Sequence, residues 1–159
     1  MDDPEVLRRR VWDEMLFAGM RANYFGELVS RYQSWEKWVR VAVLVSSSGA
    51  AATVLSSAPA FVKVGFPIVA AFGSLWLVFS QYGIMARDAA DLHSGWSVIE
   101  SNYERLWNHL DDPGSEREFE QIYERANALS KSGTRFPADK KRLDYWLDHA
   151  ASLATARYA

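Results

Sequence analysis

Few residues in this 159-residue chain are placed to do bond chemistry. The histidines His93, His109 and His149 stand alone, none with a second ligand at metal spacing. There is no cysteine, which removes disulfides, cysteine–zinc sites and thiol nucleophiles. No Gly-rich phosphate loop, nucleophile elbow or metalloprotease helix occurs. The expectation is a protein that is not an enzyme and needs no cofactor.

What remains is charge in clusters. Arg8-Arg9-Arg10 and Lys140-Lys141-Arg142 are the two densest cationic runs. Each reads either as a solvated face or as a place for anionic lipid or a nucleotide phosphate. The second run follows an acidic stretch: Asp111 to Glu124 holds six acids and one base, while Lys131 to Arg142 holds five bases and one acid. The alternative for Lys140–Arg142 is therefore pairing with that acidic segment. Asp88 and Asp91, at i and i+3, read as ordinary boundary charges or as an acidic ring at a pore mouth. A net charge of −2 is too weak for a purely electrostatic nucleic-acid binder, so no duplex DNA is expected as a partner.

The elements that position these charges follow from where charge is missing. From Val41 to Ala86, 46 residues carry one charge, Lys63, whereas the other 113 carry 37. Val41–Val62 and Val64–Ala86 are uncharged runs of 22 and 23 residues. Each as a helix reaches ~33 Å, enough for a hydrocarbon core of ~30 Å. Trp35 and Trp38 before the first run, and Trp76, Phe79 and Tyr82 late in the second, are amphipathic aromatics of the kind that settle at an interface. Ser56, Ser57, Pro59, Lys63 and Gly65 supply a turn, and Pro67 suits a helix start. Arg31, Lys37, Arg40 and Arg87 flank the pair, so the positive-inside bias predicts both termini in the cytoplasm. The first forty residues hold seven basic and seven acidic residues, unlike a cleaved signal, and are expected to be retained.

Within the first run, Ser46, Gly49, Ala50, Thr53 and Ser57 fall on one helical face. Small and hydroxyl residues there either pack on the second run or form the weakly polar wall of an oligomeric pore. Phe72, Trp76 and Phe79 make the second run bulkier.

The remaining stretches read as helices. Pro4 can open the first, capped by Asp3, with Leu7, Val11, Met15, Ala18, Ala22, Phe25, Val29 and Tyr32 at helical spacing. This helix can run on into the first span. Leu92, Trp96, Ile99, Tyr103, Leu106 and Leu110 repeat at 4,3,4,3,4, a heptad seam that should pack on the first helix or on a sister chain. Asp111-Asp112-Pro113-Gly114 stops it, and Ser115 with Glu118 reads as a capping box opening a helix with Phe119, Ile122, Ala126 and Leu129. Ser132-Gly133-Thr134 breaks that one, and Pro137 is expected to start a last helix with Leu143, Trp146, Ala150 and Leu153. The predicted fold is all-α in three segments: residues 1–40, an amphipathic cytoplasmic helix; 41–86, a transmembrane hairpin; and 87–159, a cytoplasmic helical region.

The whole layout resembles the SLATT superfamily, two-transmembrane effectors of bacterial nucleotide-based conflict systems. The likeness is carried by the amphipathic N-terminal helix and the small-residue hairpin. It extends to the following helix, opening Ala86-Arg87-Asp88-Ala89-Ala90-Asp91-Leu92-His93 with Trp96, Tyr103 and Leu106, and to Phe136-Pro137 followed by Tyr145 and Ala150. It covers nearly all of the chain, through residues at loose spacing rather than an invariant box. The resemblance implies a channel-forming or membrane-disrupting effector in anti-phage defence, controlled by a nucleotide or oligonucleotide from a partner nucleotidyltransferase. Two spans cannot enclose a water path alone, so a homo-oligomer is required, with four subunits as the working number. The rivals are a holin-like or toxin pore without a nucleotide ligand, a membrane-anchored helical scaffold, and a soluble helical bundle.

Overall fold

A computed structural model describes residues 4–47, 59 and 82–158. Its described residues form four α-helices and no strand: α1, Pro4–Ser47; α2, Tyr82–Trp107; α3, Ser115–Gly133; and α4, Lys140–Tyr158. Pro4 is the first helical residue, where its missing N–H costs nothing, and α1 runs on past Val41 to Ser47. Among the described residues no helix is long and apolar enough to cross a membrane. Most of the uncharged pair at 41–86, including Gly49, Ala50, Thr53 and Ser57, lies outside the described residues.

The chain divides into two compact units, Met1–Glu27 with Ala89–Ala159, and Leu28–Asp88. In the first unit α1 is covered on three sides. The stripe Val11, Met15, Ala18, Ala22 and Phe25, spaced by about one helical turn, is buried. So is the α2 stripe Leu92, Trp96, Ile99, Tyr103 and Leu106. Helix α3 adds Phe119, Ile122 and Ala126, with Phe119 6.0 Å from the Tyr103 ring. On one face of α1, Arg10 and Arg21 reach Glu120 and Ser130 of α3, at 3.4 and 2.8 Å. On another, Gly19 lies against Ala150, and Glu27 takes Trp146 Nε1–H at 2.9 Å and the Arg142 guanidinium, so α4 packs there. A helix gripped from three directions has no broad polar stripe, hence its mixed sequence.

The heptad seam is thus spent inside one chain. Trp96 is 2 % exposed and Tyr103 0 %, which leaves no surface there for a sister chain. Of the two partners expected for the seam read as Leu92, Trp96, Ile99, Tyr103, Leu106 and Leu110, the first helix is the one it packs on, and its first five residues are a core stripe rather than a free oligomer seam. It is also shorter than expected, because α2 ends at Trp107 and half-exposed Leu110 lies beyond it. Two helix starts differ as well. Ser115 Oγ donates backwards to the carbonyls of His109 and Asp112, at 2.9 and 2.7 Å, and Glu118 accepts from Arg105 at 3.0 Å, so no capping box forms. The last helix begins at Lys140 rather than Pro137. The Pro137 carbonyl accepts the Tyr24 hydroxyl at 2.7 Å, and Asp139, whose carbonyl accepts from Leu143 N–H, takes the cap position.

In the second unit, Leu28 is buried and Tyr32 lies 6.3 Å from the Tyr82 ring. Arg40 pairs with Glu36 one turn before it. Large apolar side chains face outward: Trp35, Trp38, Val41, Leu44, Ile84 and Met85 are all exposed, Trp38 by 71 %.

Candidate functional site

The Arg8-Arg9-Arg10 run is divided by the helix it sits on. Successive residues of an α-helix point about 100° apart, so the three guanidinium groups go to different surroundings. Arg10 turns to α3, its guanidinium 4.6 Å from the Phe119 ring centre and 3.4 Å from Glu120. Arg8 lies 5.4 Å over Trp107 and 3.9 Å from Asp111. The acidic segment is therefore engaged by Arg8 and Arg10. Arg142 instead pairs with Glu27 and, at 3.1 Å, with Asp139, while Lys140 and Lys141 are exposed. This corrects the pairing of the Lys140–Arg142 run with the acidic helix. The two basic runs do not meet: their contacts on α1 are centred near Arg8 and Glu27, ~28 Å apart along its axis.

Around Arg8 and Arg9 the ends of three helices make an open basin of about 550 Å³. Its floor is aromatic. Trp12 of α1, Trp107 of α2 and Tyr158 of α4 have ring centres 5.2, 6.3 and 6.2 Å apart, tilted or edge-on. Glu5, Arg8, Arg9 and Thr155 complete the wall. Arg9 is exposed and has no ion-pair partner among the described residues. Flat half-exposed rings beside a guanidinium suit a ligand with a π-face and an anionic group, because stacking and charge-assisted hydrogen bonds act together. The cationic side of the basin was legible as a run of arginines. The aromatic side was not, since Trp107 and Tyr158 lie 95 and 146 residues after Trp12 and join it only on folding.

Asp88 and Asp91 lie one turn apart on α2. Asp88 is half-buried within the Leu28–Asp88 unit, and Asp91 is exposed in the other unit. Ser46 falls within α1. The histidines have local contacts: His93 Nδ1 lies 2.7 Å from the Ala22 carbonyl, His109 Nδ1 2.9 Å from that of Arg105, and His149 stacks on Tyr145. Among the described residues no group of three or more His, Asp or Glu is placed to hold a metal.

Sequence reading missed a polar cluster inside the first unit. Arg21 lies 4.5 Å over the Trp96 ring. Burial pushes its guanidinium pKa down, partly offset by Glu14, and pushes the Glu14 carboxyl up, partly offset by Arg21 and Arg10. Burial also raises the Tyr103 hydroxyl, helped by the charge on Glu14. The available signal was Arg21 seven residues after Glu14, beside an apolar stripe.

Comparison with family models, characterised proteins and solved structures finds no match to this chain.

Proposed function

We propose that the chain is a SLATT-like membrane effector. Several copies form a channel that permeabilises the bacterial inner membrane in anti-phage defence, killing or arresting the cell. A nucleotide or oligonucleotide from a partner nucleotidyltransferase controls it. The observation that carries this reading is that one chain holds both a 46-residue stretch with a single charge and a folded helical unit that presents a basin of arginines and aromatic rings. The exposed Trp35, Trp38, Val41 and Leu44 add support, since such a band is costly in water and at home at a bilayer surface. In this reading Ser46, Gly49, Ala50, Thr53 and Ser57 line the pore, Asp88 and Asp91 ring its mouth, and the ligand base stacks on Trp12 or Trp107 with phosphate on Arg8 and Arg9. Lys140 and Lys141 lie too far from the basin to share that ligand and are assigned to solvent or lipid headgroups.

The test is ion leak from liposomes carrying the full chain, with a panel of cyclic di- and trinucleotides. A cognate nucleotide should change leak, and Arg8→Gln with Arg9→Gln should weaken its binding. Trp12→Ala removes one stacking partner worth ~1–3 kcal/mol, about 5- to 150-fold in affinity. Leu at Ser46, Thr53 and Ser57 should block leak without preventing insertion. Leak indifferent to every nucleotide would favour the holin-like pore, and protein that inserts but never leaks would favour the scaffold.

A further inference from the structure

A second cavity, of about 350 Å³, lies in the first unit among α1, α2, the end of α3 and the connector that follows it. Its lining is mostly aromatic and aliphatic, including Tyr24, Phe25, Trp96, Phe136 and Leu143, with one full charge, Arg21. The connector wall is fixed: the Tyr24 hydroxyl donates to the Pro137 carbonyl at 2.7 Å, and Phe136 packs edge-on to Phe25 at 5.6 Å.

Arg21 is poorly served there. Its guanidinium has five N–H donors in a planar fork. One of its hydrogen bonds goes to Ser130 Oγ, at 2.8 Å, and Trp96 covers a face of the group. No carboxylate lies within ion-pair distance of it among the described residues. The indole N–H of Trp96, in the same wall, is buried without a hydrogen-bond partner among the described residues. A half-buried cation with unspent donors beside an apolar hollow is costly alone, and an anion with an apolar body offsets that cost.

We propose that this cavity binds a small aryl carboxylate, its carboxylate on the Arg21 fork and its ring among Tyr24, Phe25, Trp96 and Phe136. One guanidinium matches one carboxylate in bidentate geometry. A dianionic phosphate fits less well, because among the described residues no second cation lines the cavity and Glu14 lies within electrostatic reach of Arg21. The volume is at the small end of ligand sites, which suits a single ring with a short acid arm rather than a nucleotide. The site is independent of the arginine–aromatic basin.

The experiment is calorimetric titration of the full chain in lipid nanodiscs, referenced to empty nanodiscs, with 3-phenylpropionate, 3-phenylpropanol, phenyl phosphate and inorganic phosphate. The acid should bind saturably, with the alcohol and both phosphates at least about tenfold weaker. Arg21→Met should bring the acid down to the level of the alcohol. Leu143→Trp, which fills the hollow from the α4 side, should weaken acid and alcohol together. Arg9→Gln should change neither, which separates this site from the nucleotide reading. No saturable binding of the acid at about 10 mM would overturn the proposal, as would equal binding of acid and alcohol by the unaltered chain. An acid preference that survives Arg21→Met would also overturn it. If Arg21→Met does not fold, the wild-type comparison of acid with alcohol and the Leu143→Trp variant still decide.

Discussion

Glu100 sits on α2 where Gly19 of α1 leaves it room: a Cβ at Gly19 would come 2.6 Å from its carboxylate oxygen. Burial pushes its pKa up from the ordinary 4.5, Glu104 adds repulsion, and Arg157 and His93 act in the opposite sense. The folded protein therefore holds this proton more tightly than the unfolded chain. Its contribution is most favourable below the ordinary carboxylate range and is lost as pH rises through the raised pKa. Glu100→Gln should raise the melting temperature at pH 7, with the gain shrinking as pH falls towards 4.5. A variant that melts lower at pH 7 would show that the charge is compensated. Tyr103 gives a second contrast. Its hydroxyl is buried with no hydrogen-bond partner among the described residues, so Tyr103→Phe should be neutral or slightly stabilising. Trp96→Ala should cost ~3–5 kcal/mol for its lost volume, as chemical denaturation would report. By the same packing, Asp at Trp96 and Tyr103 would unfold the unit rather than separate neighbouring subunits.

The turn between α2 and α3 depends on Gly114, whose φ is 108°. Among the described residues nothing lies within 4 Å of a Cβ placed there, so Gly114→Ala should cost backbone strain alone, ~1–2 kcal/mol. Equal stability of the two proteins would mean the turn relaxes. How much of these elements could be read in advance follows the range of the forces. The stripes of α1, α2 and α3 were legible, because Val11 to Phe25, Leu92 to Leu106 and Phe119 to Ala126 repeat with the helix itself. Helix ends were less so. Ser115 and Glu118 had the right types for a capping box, but His109, Asp112 and Arg105 compete for them. Pro137 had the right type for a helix start, but a hydroxyl 113 positions away holds its carbonyl. The site divides the same way. A run of arginines is visible as text, whereas the rings around Arg8 and the hollow beside Arg21 exist only after distant segments close on α1.

For the molecule as a whole, the expected topology makes the sharpest test. Reporters fused at Met1 and after Ala159 should both read cytoplasmic, and a periplasmic signal from either would sink the hairpin. Val54→Arg or Leu77→Arg should hinder insertion by ~2.5–3.5 kcal/mol, measurable as a loss of membrane-integrated protein.

The partners of α1 carry a consequence for how the chain is made. Arg21 waits for Ser130, Tyr24 for Pro137 and Glu27 for Trp146, separations of 109, 113 and 119 residues. At ~5–20 residues per second, the apolar stripe of the first helix spends on the order of ten seconds on the ribosome before its partners exist. Nascent chains stalled before Leu92 should therefore crosslink to a chaperone through Val11 to Phe25, and chains long enough to expose Trp146 should not. Synthesis order makes α1, made before the other three described helices, among the last to find its place.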